Sequence, residues 1–407
     1  MHKIILKNTT YQALTRLITS GAGFLITLLI ARSFGGLGYG EFTKVTAFVS
    51  FFYLIADFGL NAIYIKKDDE GKHFRDLFYL RFLISIILII TVNAIALVLP
   101  YNKNLDSGFS DITRLGIFIF SFSILFQSIV YSCSAVFQKK LKYDFLMISS
   151  GFGAFLTLFL ILINVYLFKS IINIYFAFIM GGFLTAVISV IGTKNKILPI
   201  CLNFKFAKNL VKETLPIGLM LIFNLIYFRI DIFLLSVFRS TTDVGIYGLS
   251  YKFFDFLIAL PLFLSNSIYP MLLRKRENKN AFFQIVKKYF IFSLVFSLLL
   301  ILIFWFASPL FTFIKKDFIA SVLPFRIFLL SLPIFFTTSI LQWALIAQNN
   351  QKFLMYVYLF CAFLNIILNI IFIPHWGYIA SAIITGISEF VVFIFLVSKF
   401  IKNFKKY

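Results

Sequence analysis

Seven ionisable side chains lie inside long apolar runs of the sequence, where a charge is costly. They are Arg16, Asp57, Arg229, Asp231, Lys252, Asp255 and Glu389. A charge at the centre of a bilayer costs roughly 2.5–3.5 kcal/mol on insertion scales, so each of these groups needs a partner or an aqueous cavity. Because Arg229 lies deep in its run, it is the strongest single candidate for contact with an anion.

Helical spacing places these groups on polar stripes. In the seventh predicted helix, Asn224, Tyr227 and Asp231 share a face, whereas Arg229 is rotated by about 200° from Asp231. Other stripes contain Arg16, Asp57, the pair Lys252 and Asp255, and Thr338 with Gln342. Together the stripes predict a polar cavity between two halves of the chain.

Structural explanations stay open for several of these residues. Lys252 and Asp255 are three positions apart and could form a local ion pair. Arg16 and Asp57 could reach the membrane surface through their side chains. Glu389 is expected to be structural. The glycine-rich segment at 35–40 lacks the Gly-Lys-Ser/Thr ending of a phosphate-binding loop, so it predicts a turn between two helices.

Composition excludes a soluble enzyme. Of 407 residues, 61% are hydrophobic and 13% are charged, against roughly 25% charged in soluble domains. The net charge of +22 would suggest nucleic acid in a soluble protein, but in a membrane protein it reflects topology, so no nucleic-acid partner is predicted. Three cysteines and three histidines are scattered without ligand spacing, so we predict no disulfide, metal site or cofactor.

The apolar runs predict an all-α integral membrane protein, because helices of about twenty residues cross a hydrocarbon core of about 30 Å. Twelve spans are predicted at 11–31, 43–65, 77–99, 114–137, 145–168, 171–192, 211–238, 244–272, 283–313, 322–347, 353–373 and 377–400. A basic linker at 193–209 separates a six-helix half at 1–192 from another at 210–407. Lys and Arg concentrate before the first span, in the even-numbered connections and after the last span, which places both termini in the cytoplasm.

The two halves resemble each other at a constant offset. Gly38-Tyr39-Gly40 and Gly245-Ile246-Tyr247-Gly248 are about 207 residues apart, and two Phe-Leu-Met segments at 145 and 353 are 208 apart. Six helices per repeat make the two repeats parallel, and transporters commonly bind their substrates between repeats. We therefore expect two pseudo-symmetric halves around a central cavity.

Several motifs together resemble the bacterial polysaccharide (O-antigen) flippases of the multidrug/oligosaccharidyl-lipid/polysaccharide exporter superfamily. Near the start of the chain, three segments are similar to those flippases: Ala31-Arg32-Ser33-Phe34-Gly35, Gly38-Tyr39-Gly40-Glu41 and Asp57-Phe58-Gly59-Leu60. The middle is similar at Arg229-Ile230-Asp231, Val244-Gly245-Ile246-Tyr247 and Tyr269-Pro270. The end is similar at Asn365, Asn369 and the segment from Ile373 to Ala382, where Ser381 departs from the common Gly or Ala.

The resemblance implies translocation of an undecaprenyl-diphosphate-linked oligosaccharide across a bacterial cytoplasmic membrane, for O-antigen or capsule synthesis. It implies that Arg16, Arg229 and Lys252 hold the diphosphate, while Asn224, Tyr227 and Gln342 meet sugar hydroxyls. Asp57, Asp231 and Asp255 become candidates for coupling to H⁺ or Na⁺. Membrane lipids and a polysaccharide polymerase complex are the implied partners.

Two rival functions stay open on the residues. A drug or small-cation antiporter of the same superfamily predicts a cavity dominated by acidic and aromatic groups, whereas the candidate cavity residues of this chain include the basic Arg16, Arg229 and Lys252. A membrane oligosaccharide polymerase or ligase predicts a large outer loop with basic residues, and the predicted outer connections are short.

Overall fold

The structure is a computed structural model that describes residues 2–67, 73–194 and 203–405. It is almost entirely helical. The helices are α1 (His2–Asp57), α2 (Leu60–Lys67), α3 (Phe74–Val98), α4 (Asp111–Ser121), α5 (Ser123–Lys139), α6 (Tyr143–Ile163), α7 (Ile171–Thr193), α8 (Phe204–Phe238), α9 (Thr241–Arg274), α10 (Lys279–Ala307), α11 (Phe311–Ile314), α12 (Val322–Ala347) and α13 (Gln351–Lys405). A two-stranded hairpin pairs β1 (Tyr101–Asn102) with β2 (Ser107–Gly108).

Ten helical segments in the described ranges are long and apolar enough to cross a membrane. The first and last of them run over 57 and 54 residues, about twice the length that one crossing needs. Each is broken near its middle by a glycine outside helical geometry, Gly35 at φ 70° and Gly377 at φ 59°. Counted as two crossings each, these broken helices bring the ten segments to the twelve predicted spans, and the all-α integral membrane class is confirmed.

The predicted turn between the first two spans is much shorter than expected. The sequence predicted a non-helical connection at 32–42, but the helix continues on both sides of Gly35. A positive φ is readily adopted only by glycine, so Gly35 breaks the hydrogen-bond ladder at one residue without a loop. The break predicted before the last span falls at Gly377, immediately after the Pro374-His375-Trp376 segment.

The first compact unit comprises residues 1–225. Two buried charged side chains of α1 bind the hairpin and the start of α4. The Lys44 ammonium donates to the Gly108 carbonyl at 2.8 Å, and the Glu41 carboxylate accepts from the hydroxyls of Ser110, at 3.1 Å, and Thr113. Ser110 also caps α4 by accepting from the Thr113 N–H. The buried charges of Lys44 and Glu41 therefore hold the connection between α3 and α4 against α1.

The second compact unit comprises residues 226–407 and is organised around α12. This helix packs against α9, α10 and α13, and most of its side chains are buried. The boundary between the two units falls inside α8, whereas the sequence predicted a linker at 193–209. Residues 195–202 of that linker lie outside the described ranges, and the predicted division stays a prediction.

The element order repeats along the chain at the predicted spacing. Helix α3 begins at Phe74 and α10 at Lys279, 205 residues later. Helix α6 begins at Tyr143 and α13 at Gln351, 208 residues later. These offsets agree with those of the sequence motifs and support a duplication of one six-helix unit.

Candidate functional site

A cluster of three charged side chains lies on α8 and α9 in the second unit. The Arg229 guanidinium donates to the Asp255 carboxylate at 2.6 Å and lies over the Tyr251 ring, with its central carbon 4.9 Å from the centroid. Lys252 interacts electrostatically with both groups, and it forms no direct ion pair with a residue that the structure describes. Asp255 offsets one of these two cations, and Arg229 also interacts electrostatically with Asp231.

The pairing differs from the local one that the sequence left open. Asp255 binds Arg229 on the neighbouring helix, at 2.6 Å, and not Lys252 on its own helix. A guanidinium has five N–H donors in a planar fork, which suits a carboxylate or phosphate better than an ammonium does. The single hydrogen bond to Asp255 therefore leaves Arg229 with further donors for a second anion.

Asp231 is two positions from Arg229 and lies in a separate polar network. It is 3% exposed, and it accepts hydrogen bonds from the Tyr247 hydroxyl and, at 2.8 Å, from the Ile232 N–H. Thr385 lies beside the same Tyr247 hydroxyl and donates to the Ser381 carbonyl at 2.9 Å. The network continues through Asn369, Asn365 and Ser388. A carboxylate among neutral oxygen and amide groups has the chemistry of a site for a small cation or a proton.

A cavity of about 260 Å³ lies among α8, α9, α12 and α13 of the second unit. Polar groups on its wall are Asp255, Thr338, Ser339, Gln342 and Glu389. The rings on its wall are Phe228, Phe335 and Tyr358. The carboxyl group of Glu389 accepts a hydrogen bond from the Tyr227 hydroxyl at 2.8 Å.

The first unit contains its own buried ion pair, between Arg81 on α3 and Asp57 at the end of α1. Arg81 donates to the Asp57 carboxylate at 2.9 Å and to the Asn61 amide oxygen at 2.7 Å. The Arg81 side chain is 1% exposed and that of Asp57 is 30% exposed. Asn61 also donates to the Ser134 hydroxyl at 3.1 Å, so four helices, α1, α2, α3 and α5, are joined at this point.

The structure brings some of the predicted site residues together and leaves others apart. Arg229, Lys252 and Asp255 form one cluster, and Gln342 faces the same cavity as Asp255. Arg16 and Asn224 are exposed side chains of the first unit. The predicted roles of all nine residues in binding and coupling stay predictions.

Sequence reasoning missed Arg81, Tyr247 and Thr385. Arg81 lies near the start of its predicted span, where an arginine is expected to reach the membrane surface. Tyr247 and Thr385 carry no charge and do not stand out in a sequence with 19 tyrosines. One feature of the sequence could have identified Arg81, because it is a basic residue inside the predicted span 77–99.

The comparisons with known proteins agree with this architecture. The model of the family described as "Polysaccharide biosynthesis protein" matches residues 5–275, two thirds of the chain. The chain belongs to the polysaccharide biosynthesis protein family. A second family model, MatE, matches residues 216–371. A curated relative, an uncharacterized membrane protein of Methanocaldococcus jannaschii, is 22% identical over 98% of this chain and 99% of its own length.

Solved structures of transporters share the fold of this family member. The inward closed conformation of the lipid II flippase MurJ matches with a TM-score of 0.79 at 17% identity, over 98% of this chain and 89% of that one. An inward-facing multidrug resistance MATE family transporter of the MOP superfamily matches with a TM-score of 0.67 at 16% identity, over 98% and 96%. Membership of this superfamily, predicted from the motifs, is confirmed, and the chain is a multi-pass membrane protein of a transporter superfamily.

Proposed function

We propose that this chain is a flippase that moves a polyprenyl-diphosphate-linked oligosaccharide from the inner to the outer leaflet of a bacterial cytoplasmic membrane. The observation that carries the proposal is the cluster of Arg229, Lys252 and Asp255, in which Lys252 has no direct carboxylate partner among the described residues although it lies within an apolar helix. Such a charge is costly in a membrane unless an anionic ligand or water meets it. A diphosphate is an anion of the required size and charge.

The two basic side chains of the cluster make different contacts with the diphosphate. Lys252 supplies a point charge, while Arg229 turns from Asp255 and takes phosphate oxygens in a bidentate contact. Gln342 and Tyr227 offer hydrogen bonds to sugar hydroxyls, although the Tyr227 hydroxyl must first release Glu389. Arg16 and Asn224, which belong to the first unit, stay predicted substrate-binding residues.

Among the three aspartates proposed for ion coupling, Asp231 has the most suitable surroundings. Asp57 is bound to Arg81 and Asp255 to Arg229, whereas Asp231 forms no ion pair with a basic residue in the described ranges. Its partners are the Tyr247 hydroxyl and a backbone N–H. Coupling to H⁺ or Na⁺ at Asp231 would supply the energy for transport, since the sequence contains no nucleotide-binding motif.

The test is binding of a polyprenyl diphosphate, compared with the corresponding polyprenol, to the purified protein. We expect Lys252→Ala to weaken diphosphate binding by roughly tenfold or more, because a hydrogen bond to a charged group contributes about 1.5–3 kcal/mol. Asp255→Asn should strengthen binding, because it removes a competing anion from Arg229. Lys316→Ala, at an exposed lysine with the same charge, is the matched control.

Equal binding of diphosphate and polyprenol would contradict a diphosphate site. Weaker binding in Asp255→Asn would contradict the competition between Asp255 and the ligand at Arg229.

A second candidate function is export of an amphipathic cation. It is favoured by the cavity wall, which combines the carboxyl groups of Asp255 and Glu389 with the rings of Phe228, Phe335 and Tyr358. Carboxylates and aromatic faces are the groups that bind organic cations. Binding of a cationic dye that Glu389→Gln abolishes and a polyprenyl diphosphate does not displace would favour this candidate.

A further inference from the structure

Glu389 is a buried acid without a basic partner. It lies on α13 in the interior of the second unit and is 3% exposed. Its hydrogen-bond donor is the neutral hydroxyl of Tyr227, at 2.8 Å. No lysine, arginine or histidine of the described ranges forms an ion pair with it. An ionised carboxylate in such a place is strongly unfavourable, so the group is expected to hold a proton for at least part of the transport cycle.

A second buried hydroxyl lies beside Glu389. The Thr338 side chain is 1% exposed, and its Oγ1 makes no hydrogen bond of regular geometry within the described residues. It lies within interaction range of the Glu389 carboxyl group and, like it, on the cavity wall. A buried hydroxyl needs a hydrogen-bond partner, and the Glu389 carboxyl group is the one within reach.

Thr338 can pair with either protonation state of Glu389. The protonated acid has one O–H to donate, and the Thr338 oxygen can accept it. After the proton leaves, the threonine hydroxyl can rotate and donate to the carboxylate instead. The hydrogen bond from Tyr227 to Oε2 of Glu389 is available in both states. The arrangement therefore accommodates a gain and a loss of one proton without movement of a helix.

The cavity supplies the route by which the proton leaves. Its volume of about 260 Å³ is sufficient for several waters. Ser339 and Gln342 lie on its wall and offer the polar partners that such waters need. In the resulting step, the Glu389 carboxylate takes a proton from a hydronium ion to become a carboxylic acid and leaves a water molecule, and it later gives that proton to water, which becomes hydronium.

Of the two acids on the cavity wall, Glu389 is the one that forms no ion pair with a described basic residue. The titratable groups around it are Tyr227 from α8, Tyr251 and Asp255 from α9, and Tyr358 and Cys361 from α13. Helix α12 contributes only neutral side chains to the cavity wall: Phe335, Thr338, Ser339 and Gln342. Asp255 is offset by Arg229 at 2.6 Å, so its charge does not compete for the proton.

We propose that Glu389, held between Tyr227 and Thr338 at the wall of this cavity, is a proton-carrying group of the second unit. The site is distinct from the Asp231 network, because Glu389 and Asp231 have different partners. Only the use of the proton in transport rests on the proposed flippase function. Proton binding itself can be measured without a substrate.

The experiment is infrared spectroscopy of the protein in lipid vesicles, without substrate, over an acidic-to-alkaline series of buffers. We expect a C=O stretching band of a buried protonated carboxyl group that disappears as the pH rises. Glu389→Gln should abolish this band, whereas Asp255→Asn and the exposed-loop variant Glu277→Gln should keep it. Thr338→Val should shift its frequency, because the acid loses its hydrogen-bond acceptor.

The proposal is overturned if wild type shows no such band, if the band is unchanged over the whole pH series, or if Glu389→Gln retains it. It is also overturned if Na⁺ at constant pH, and not a change in pH, removes the band, because Glu389 would then bind a metal cation.

A transport measurement separates this proposal from the proposed function. In Glu389→Gln we expect transport driven by a pH gradient to fall by about tenfold or more, while exchange of substrate without a gradient continues. Gradient-driven transport that is equal in variant and wild type overturns a role for the proton. A protein that shows the titrating band but moves no lipid-linked glycan keeps the proton site and loses the flippase function.

Discussion

Arg81 and Arg229 lie in different units, and each donates to an aspartate on a neighbouring helix, at 2.9 Å and 2.6 Å. The sequence predicted that charges within the spans need partners, but it did not predict which ones. Partners on separate helices depend on how the helices pack, and helical periodicity describes one helix at a time. For the same reason Glu389 was expected to be structural, although it faces a cavity with Gln342.

The Arg81 pair gives a prediction for stability. Arg81→Leu leaves the Asp57 carboxylate without its cation, and we expect the free energy of unfolding to fall by about 2–4 kcal/mol, somewhat less than for a fully buried pair. Thermal unfolding in detergent would measure the loss. Asp111→Asn, which breaks the exposed pair with Arg114, is the control and should cost less than about 1 kcal/mol.

The double variant Arg81→Leu/Asp57→Asn should recover part of the stability, because it no longer leaves a carboxylate unpaired. If Arg81→Leu costs no more than Asp111→Asn, the buried pair does not stabilise the first unit.

Helices α6 and α7 approach each other through reciprocal contacts of Gly153 and Gly181. A Cβ at Gly153 would lie 1.8 Å from Thr185 Oγ1 and 2.7 Å from the Gly181 carbonyl oxygen. A Cβ at Gly181 would lie 1.8 Å from Thr157 Oγ1 and 2.7 Å from the Gly153 carbonyl oxygen. Small residues at such crossings allow backbones in a membrane to pack closely. Spacing along one helix does not distinguish these two positions from the neighbouring Gly151 and Gly182, because the close approach depends on the facing helix.

The contact at Gly153 gives a prediction with a control on the same helix. We expect Gly153→Ala to destabilise the protein by about 1–3 kcal/mol, because the new methyl group overlaps the backbone of α7. A Cβ at Gly151 has its nearest neighbour at 4.0 Å, so Gly151→Ala should be neutral or slightly stabilising. Thermal unfolding of both variants measures the difference, and equal effects would contradict the close approach of α6 and α7.

Breaks within helices were the least predictable feature at the scale of elements. The sequence predicted a span on each side of Gly35, but not that a single residue would connect them. The predicted span 114–137 is likewise divided into α4 and α5 at Phe122. Apolar run length predicts that a helix crosses the membrane, whereas local φ and ψ values depend on packing around each break.

At the scale of the whole molecule, hydropathy and charge predicted most of the architecture. Apolar runs alone require helices in a bilayer, because every backbone polar group must be satisfied internally. The repeat offset predicted from motifs near Gly38 and Phe145 recurs in the starts of α3, α6, α10 and α13. The site was less predictable, because it depends on contacts among α8, α9, α12 and α13.

The distribution of Lys and Arg predicts that both termini face the cytoplasm. The test uses single cysteines, introduced after the three native cysteines are replaced, at Asn104 in the hairpin and at Glu277 between α9 and α10. Both side chains are exposed. We expect a membrane-impermeant maleimide to label Asn104→Cys on intact cells and Glu277→Cys only after permeabilisation. The opposite labelling pattern would reverse the proposed orientation.

The most direct test of the central claim is translocation in lipid vesicles that contain the protein and a polyprenyl-diphosphate oligosaccharide detectable by a lectin. We predict that the protein moves the glycan to the opposite leaflet, that Lys252→Ala slows this movement by about tenfold, and that Lys316→Ala does not change it. If the wild-type protein leaves the glycan in its original leaflet while it exports a cationic dye, the flippase function is contradicted and the antiporter function is favoured.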